Sequence, residues 1–188
     1  MKEFKERITE RLYLRPIRLT DADAMYDYGH RPEVARLAGF PANQSVEECQ
    51  NFIQMDLDKT EEEVRQRIYA ICLKGQDRLM GTVNFAKEIK PDILEIGYVL
   101  HPDLWGQGLM PEAVSALVDF GFTELELHKI EIAVYDHNPQ SRRVAEKLGF
   151  SLEARLRKRK KIDGDYQDKL IFGLLREEWE EQDGSIRH

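Results

Sequence analysis

The sequence predicts an α+β (mixed α/β) fold, in which a central mixed, mostly antiparallel sheet of about seven strands carries helices on both faces. Three observations predict it. Short segments that alternate apolar and polar residues are separated by turn-forming residues, which is typical of hairpin strands. Helical patterns with start and stop signals lie between them. Hairpins come before and after a strand-helix-strand unit, an order that argues against a doubly wound nucleotide-binding fold.

The N-terminal part predicts one strand and two helices. Residues 8–17 alternate apolar and polar side chains and stop at Pro16, which predicts a strand. Thr20 is the expected N-cap of a short helix, with Asp21 and Asp23 in its first turn and Gly29 at its end. A second helix is predicted to begin at Ser45, because SVEE places a glutamate three residues on, as in a capping box. The intervening stretch GHRPEVARLAGFPANQS is interpreted as a loop.

In the middle of the chain, apolar and polar residues alternate with the two-residue period that is typical of strands. Residues 67–73, 79–87 and 93–100 predict three strands in meander order, separated by the turns KGQD and KPD. A helix follows from about Gly108 to Glu124, with an apolar stripe at helical spacing. KIEIAVY then alternates apolar and polar residues and predicts a fifth strand.

The C-terminal part predicts one helix, a hairpin and a last short helix. NPQSRRVAEKLGF has Asn138 as N-cap, Pro139 at the first helical position and Gly149 as a stop. Residues 151–160 and 166–174 are predicted strands, and the Asp-Gly pair between them is typical of a type I′ turn. LREEWEE predicts the final helix.

Composition narrows the class of protein. A chain of 188 residues with 41% hydrophobic content is expected to form one domain with a sizeable core. It has no apolar stretch of membrane-spanning length, and its first residues, MKEFKERITERL, have no apolar signal region, so we expect a cytoplasmic protein with no membrane contact. The net charge of −7 argues against nucleic acid as a partner and would suit a basic one, such as a cationic amine or peptide.

Metal chemistry is not expected. The two cysteines, Cys49 and Cys72, are far apart and have no metal-ligand spacing, so we interpret them as buried or incidental thiols. The five histidines form no H-E-x-x-H pair or similar motif.

Two glycines stand between a predicted strand and a predicted helix in HPDLWGQGLMPEAV. The first N–H groups of a helix have no partner within it and carry partial positive charge, so Gly106 and Gly108 could let that backbone approach an anion closely. Pro111 stands where a dinucleotide fingerprint has its third glycine, and no Lys-Ser/Thr follows to make a P-loop. An ordinary β-to-α turn would explain the pair equally well.

A second motif decides between these interpretations. EIGYVLHPDLWGQGLMPEA and, one strand later, NPQSRRVAEKLGF together resemble the GCN5-related N-acetyltransferases. The sequence is most similar to the branch that includes the ribosomal-protein N-terminal acetyltransferases, with further matches at TERLYLRP, IDGDYQD and LLREEW. The resemblance covers nearly the whole chain and implies a single acetyltransferase domain, residues 1–188.

The resemblance implies an acetyl-CoA-dependent N-acetyltransferase acting on a primary amine, with a protein or peptide N-terminus as the leading acceptor. A small amine (a polyamine, an amino acid or an aminoglycoside) and a CoA-binding module without chemistry are the alternatives. Oligomeric state is left open, with a homodimer among the options.

The resemblance also implies that the fourth and fifth strands splay apart and hold pantetheine between them, while backbone N–H groups near the glycines hold the pyrophosphate. The family pattern here is Gln/Arg-x-x-Gly-x-Gly/Ala, from which Trp105 and Met110 depart. The cofactor residues that it implies are Tyr98, Val99, Leu100, Trp105, Gly106, Gln107, Gly108, Leu109, Met110, Asn138, Ser141, Arg142 and Arg143.

Two catalytic residues are implied in the same way. Glu95 matches the position of a general-base glutamate, and Ser141 matches a serine near the thioester sulfur. Ala145 stands where many members have a tyrosine acid, which leaves Ser141 as the proton donor. The alternatives are that Glu95 pairs with a cation on a neighbouring strand and that Ser141 bonds the backbone of its own helix.

Other residues have structural explanations that compete with ligand binding. Asn138 is also a helix cap, and Arg142 and Arg143 could be solvated. The basic run RLRKRKK, residues 155–161, is interpreted as the solvated face of a strand or a protected sheet edge rather than a nucleic-acid site.

Overall fold

Eight strands form one sheet in a computed structural model, which describes residues 5–42, 45–60 and 66–186. The strands are β1 (Arg7–Ile8), β2 (Leu12–Pro16), β3 (Tyr69–Leu73), β4 (Leu79–Lys90), β5 (Ile93–Leu100), β6 (Lys129–Tyr135), β7 (Ser151–Ile162) and β8 (Asp165–Leu175). The helices are α1 (Ala22–Gly29), α2 (Pro32–Ala38), α3 (Val46–Leu57), α4 (Leu109–Thr123), α5 (Pro139–Lys147) and α6 (Arg176–Ile186).

The sheet order is β1-β2-β3-β4-β5-β6-β8-β7. Neighbouring strands are antiparallel except for β5 and β6, which are parallel because α4 connects them across one face of the sheet. The predicted mixed, mostly antiparallel sheet is confirmed, with eight strands rather than about seven.

Each face of the sheet has its own core, because side chains alternate between faces along every strand. One core packs α4 against the central strands and includes Leu94, Ile96, Val114, Leu117, Ile130, Ile132 and Phe172. The other packs α1 and α3 against β2 to β4 and includes Met25, Ile53, Ile68, Cys72 and Leu79. The predicted helices on both faces are thus present. The apolar stripe that the sequence predicts for α4 is buried.

The first predicted strand is in fact two strands. β1 and β2 form a small hairpin, and Thr9 in its turn accepts a hydrogen bond from the Leu12 N–H at 3.0 Å. A run of alternating apolar residues does not reveal such a break, since both halves of a hairpin keep the same alternation. The prediction of one continuous strand was wrong for this reason.

The start of α1 also differs from the prediction. Thr20 lies inside a short 3-10 helix, Leu19–Asp21, and does not cap α1. Asp21 is buried and accepts two hydrogen bonds from the buried guanidinium of Arg15, at 2.7 and 2.8 Å. The carboxylate is therefore part of an internal ion pair that fastens β2 to the start of α1, and Asp21 itself, rather than Thr20, is the residue before the first turn.

Helix α2 lies where the sequence was interpreted as a loop. Pro32 is its first residue, and Gly39 ends it with a left-handed φ of 74°. Proline at the first position and glycine after the last are ordinary helix signals. They were present in the sequence, but seven residues are too few for a recognisable apolar stripe.

The remaining boundaries agree with the sequence analysis. Ser45 caps α3 by accepting from the Glu48 N–H, and Asn138 caps α5 by accepting from the Ser141 N–H. Asp163 and Gly164 have positive φ between β7 and β8, as a type I′ turn requires. Cys49 and Cys72 are both buried, and burial raises the pKa of the Cys72 thiol. No helix among the described residues has the length and apolar character to cross a membrane.

Candidate active site

The parallel strands β5 and β6 are hydrogen-bonded along only part of their length. β5 and β6 pair only from Ile93 and Lys129 to Ile96 and Ile132, after which their C-terminal ends diverge. A cavity of about 600 Å³ opens at the divergence, between the start of α4, the start of α5 and the end of α2. The predicted splay between these two strands is confirmed.

One end of the cavity is lined by the backbone ahead of α4, and we call it the glycine end. Gly106 and Gly108 both have a φ of 75°, a left-handed conformation that favours glycine. Gly108 is the N-cap of α4, so the turn leads directly into the positive end of a 15-residue helix. Among the described residues, no acceptor is found for the backbone N–H groups of residues 106–110, which leaves them available to a ligand.

An arginine from the β1–β2 hairpin holds this turn from behind. Arg11 donates to the carbonyl of Gln107 at 2.9 Å and to that of Gly108 at 3.2 Å. The N–H that follows each carbonyl points the opposite way, because the two groups are trans in a planar peptide. By binding the carbonyls, Arg11 therefore directs the next two N–H groups away from itself.

Glu112, in the first turn of α4, keeps Arg11 in place. Its carboxylate accepts from Arg11 Nε at 2.7 Å, from the Arg11 N–H at 2.7 Å and from the Thr9 hydroxyl at 2.5 Å. Burial opposes ionisation of Glu112, but the hydrogen bonds from Thr9 and Arg11 outweigh it and hold its pKa below the usual value. We call Thr9, Arg11 and Glu112 the arginine brace.

Two cations of α5 also line the cavity, and one of them lies at the glycine end. Lys147 and Arg143 line the cavity, and Lys147 Nζ lies 3.9 Å from the position that a Cβ on Gly108 would take. A cavity that brings free N–H groups, a helix N-terminus and two cations together suits a phosphate-bearing ligand.

Most of the predicted cofactor residues line the cavity. They are Tyr98, Val99, Leu100, Trp105, Gly106, Gly108, Leu109, Met110, Asn138, Ser141 and Arg143. Gln107 and Arg142 lie outside the lining. The Gln107 amide donates to the Asp103 carbonyl, and Arg142 pairs with Glu146 at 2.7 Å on the exposed side of α5.

Trp105 and Asn138 have clear structural roles. Trp105 Nε1 donates to the Leu100 carbonyl at 2.8 Å, which gives the last carbonyl of β5 a hydrogen-bond donor. Asn138 uses its oxygen to cap α5 and its Nδ2 to donate to the Leu37 carbonyl at 2.9 Å. Asn138 therefore ties the start of α5 to the end of α2 across the cavity.

Two hydroxyl groups lie near the start of α5. Tyr98 donates to the Ser141 carbonyl at 3.3 Å, and burial raises the pKa of its phenol to about 12, while a hydrogen bond from the Ser141 side chain acts to lower it. Tyr98 is therefore neutral near pH 7. The Ser141 side chain is hydrogen-bonded with the Tyr98 phenol, so the two hydroxyl groups meet at the cavity wall. Ala145 is fully buried in the core and offers no donor.

The other end of the cavity is formed by charged side chains, and we call it the charged end. Leu94 and Ile96 are buried in the α4 core, so Glu95 between them projects from the opposite face of the sheet. Lys169 Nζ lies 3.6 Å from its carboxylate. The alternative of a cationic partner is thus met by a lysine on β8, which is two strands from β5, at a distance longer than a hydrogen bond. Burial raises the pKa of nearby Tyr135, and the negative charge of Glu95 raises it further.

Helix α2 and the β7–β8 hairpin close the charged end. The Lys160 ammonium donates to the Gly39 carbonyl and lies 5.9 Å from the centre of the Tyr135 ring. A Cβ on Gly39 would lie 2.4 Å from that ring, so this contact requires glycine as much as the positive φ does. Arg36 and Asp163 add an ion pair of 3.4 Å between helix and hairpin.

Several site residues were missed by the sequence analysis. They are Arg11, Tyr135, Lys147, Lys160 and Lys169. Arg11 lies in the matched stretch TERLYLRP, which was the available signal for it. The others come from separate strands and helices and share no local pattern. Among the described residues, no group of three His, Cys, Asp or Glu side chains could hold a metal ion.

Comparisons with known proteins find acetyltransferases. Residues 11–151 match the family described as "Acetyltransferase (GNAT) domain". The chain is 36% identical over 172 residues to the uncharacterized N-acetyltransferase p20 of Bacillus licheniformis, an alignment that covers 91% of this chain and 96% of the relative. The crystal structure of a GNAT-family acetyltransferase from Bacillus anthracis aligns with a TM-score of 0.80 at 25% identity, covering 92% of this chain and 99% of that one.

Two relatives from Escherichia coli K12 carry named acceptors. A ribosomal-protein-serine acetyltransferase is 32% identical over 60% of this chain and 64% of its own length. A spermidine N(1)-acetyltransferase is 29% identical over 45% of this chain and 46% of its own length. The matched family extends over most of the chain, and p20 aligns along nearly its full length. The chain therefore belongs to the GNAT acetyltransferase family and is an enzyme that acetylates amines.

Proposed function

We propose that the enzyme transfers the acetyl group of acetyl-CoA to the α-amino group at the N-terminus of a protein or peptide. The observation that carries the proposal is one cavity with unpaired N–H groups at the glycine end and a carboxylate, Glu95, at the charged end. A diphosphate fits the first end and an amine fits the second.

The residues at the glycine end suit coenzyme A. The N–H groups of residues 106–110 would bind the diphosphate oxygens, and Lys147 and Arg143 would offset its charge. The pantetheine arm would pass between β5 and β6, where the backbone edges are unpaired. Bound acetyl-CoA supplies a thioester, in which the acetyl carbonyl is activated toward attack by an amine.

The charged end suits removal of a proton from the acceptor. An α-ammonium has a pKa of about 7.7 to 8.0 and a lysine one of about 10.4, so the first loses its proton far more readily near pH 7. Glu95, directly or through a water molecule, would accept that proton as the amine nitrogen forms its bond to the acetyl carbon. The neutral phenol of Tyr135 lies beside it and can donate a hydrogen bond.

The departing sulfur requires a proton when the carbon–sulfur bond breaks. Ser141 lines the cavity, and its hydroxyl lies beside the neutral phenol of Tyr98, so we assign it this donation. Tyr98 holds the carbonyl of the same residue and thereby positions the first turn of α5. Catalytic machinery of this kind, together with the family assignment, favours an enzyme over a CoA-binding module without chemistry.

The test measures where the acetyl group goes. The protein is incubated with acetyl-CoA and three acceptors: a peptide with a free N-terminus and no lysine, the same sequence N-terminally blocked with one internal lysine, and spermidine. Release of free thiol gives the rate, and mass spectrometry locates the acetyl group. We expect turnover with the first peptide. Turnover with spermidine or the lysine peptide alone would replace the proposal with a small-amine or side-chain acceptor.

A further inference from the structure

We infer that the acceptor is an acidic peptide, in which carboxylates follow the amine within a few residues. The inference rests on the proposed function and specifies its substrate class. It starts from the charges around the cavity. Glu95 is the one carboxylate among the described residues that line it, while Lys160 and Lys169 line the charged end beside it.

The cations continue outward from the cavity along β7. Arg157, Lys158, Arg159 and Lys161 are exposed, and none has an ion-pair partner among the described residues. Arg155, which precedes this run on the strand, pairs with Asp168 at 2.5 Å. The unpaired positive charge is therefore concentrated in residues 157–159 and 161, on either side of Lys160, which lines the cavity.

The backbone of β7 is shaped around these residues. The ladder with β8 shifts register between Leu156 and Lys160, and Lys158 at the centre has a φ of 49°. Asp168 holds this bulge by accepting from the Lys158 N–H at 2.7 Å. Bulges re-aim side chains and are frequent next to functional sites. A shallow groove lined by residues 155–159 lies along the bulge and could receive an extended chain.

The local charge argues against a cationic acceptor. A polyamine carries several positive charges near pH 7 and would meet Lys160, Lys169 and the run beyond them. Its only carboxylate partner in the cavity lining would be Glu95, which already has Lys169 at 3.6 Å. The net charge of −7 suits a basic partner when the whole chain is considered, but the acceptor side has the opposite sign.

A peptide also fits better than a nucleic acid. Only a short run is basic, so a long polyanion would extend over a surface whose overall charge is negative. A peptide supplies the amine that the reaction consumes. Three residues of extended chain span roughly 10 Å. With the amine near Glu95, carboxylates at about the third to sixth positions would lie toward the cavity edge that Lys160 shares with the exposed cations of β7.

The experiment compares three peptides that share their first two residues and differ at positions three to six, which are all Glu, all Gln or all Lys. We expect kcat/KM to fall in that order, with about tenfold between Glu and Lys at low salt and a smaller ratio at high salt. The double variant Arg157→Glu, Arg159→Glu should reverse the order without changing the KM for acetyl-CoA. The control is the double variant Lys74→Glu, Lys90→Glu, which changes the net charge by the same amount away from the cavity. This control should keep the original order of the three peptides.

Each other outcome overturns the inference. Equal rates with the three peptides, or a preference for the Lys peptide, would remove the acidic acceptor and leave N-terminal acetylation standing. Rejection of all three peptides together with turnover of spermidine would remove the proposed function as well. Competition by a short RNA at lower concentration than by polyglutamate of equal charge would assign the run to nucleic acid.

Discussion

The two ends of the cavity are built in different ways. The glycine end consists of backbone from one continuous segment, which two left-handed glycines place at the start of a long helix. The charged end consists of side chains from β5, β6, β7 and β8, closed by the end of α2. A surface of backbone binds the same group in every member that keeps the turn, whereas a surface of side chains changes with each substitution. The first end therefore suits a constant cofactor, and the second suits an acceptor that differs among relatives.

The sharpest test of this contrast is the removal of a single charge from the charged end. Glu95→Gln should lower kcat by about 10²-fold or more, the usual range for loss of a general base, with the Kd of acetyl-CoA changed by less than twofold. Steady-state kinetics and calorimetry measure the two quantities. Glu131→Gln is the control, since Glu131 is the register neighbour of Glu95 on β6 and pairs with Lys129 at 3.1 Å. Equal losses in both variants would contradict the assignment.

A change at the glycine end should affect binding instead. Gly106→Ala places a methyl group at a left-handed residue that faces the cavity, and we expect the Kd of acetyl-CoA to rise about tenfold, ~1.4 kcal/mol. Gly75→Ala is closely matched, because both glycines have φ near 80° and neither Cβ would meet an atom within 4 Å.

Both glycine variants should lose about 1 kcal/mol of unfolding free energy from the strained φ. Denaturant titration measures that loss, and calorimetry measures the affinity. If Gly75→Ala weakened acetyl-CoA binding as much as Gly106→Ala, the turn would have no special role.

Disrupting the arginine brace should weaken acetyl-CoA binding at the glycine end less than Gly106→Ala does. Arg11→Ala removes the donors to the Gln107 and Gly108 carbonyls, so the KM for acetyl-CoA should rise about fivefold, ~1 kcal/mol, with kcat nearly unchanged. Arg7→Ala serves as control, since Arg7 lies in the same hairpin but packs over the Phe120 ring and pairs with Glu124. Arg7→Ala should lower the free energy of unfolding and leave the KM for acetyl-CoA unchanged.

The smallest expected effect concerns Tyr98, between the two ends. Its pKa in the folded protein is about 12, above the ordinary value of 10, so folding favours the neutral phenol. The stability from this group is fully present below pH 10 and is lost as the pH rises from 10 to 12. Tyr98→Phe should therefore lose less stability than the wild type across that interval. Thermal unfolding at pH 9, 10 and 11 measures the difference, and parallel curves would contradict it.

Local signals predicted most of the fold. Caps at Ser45 and Asn138, the Asp-Gly turn and the alternation of β3 to β6 depend on neighbours in sequence, and each appears in the structure. The predicted N-cap at Thr20 failed because Asp21 pairs with Arg15, a contact that depends on tertiary packing. Helix α2 was missed because its signals are those of a turn when the helix is short.

The candidate site divides in the same way. The glycine turn was predictable, since glycine, proline and helix position are all local. Lys160 and Lys169 were not predictable, because nothing local to β7 or β8 shows that these lysines lie beside the gap between β5 and β6. Their importance depends on the register of β6 with β8 and of β8 with β7, which no single segment encodes.

The arginine brace links cofactor occupancy to the integrity of the whole chain. Arg11 and the carbonyl of Gln107 are 96 positions apart in sequence. A nascent polypeptide shorter than about 110 residues cannot assemble this contact. Since a ligand stabilises only the conformation that binds it, coenzyme A should slow hydrogen exchange in the β1–β2 hairpin, although that hairpin lies outside the cavity lining. Undocking of the first strands would in turn release the ligand. The rate of proteolysis near the N-terminus should therefore fall as the concentration of coenzyme A rises.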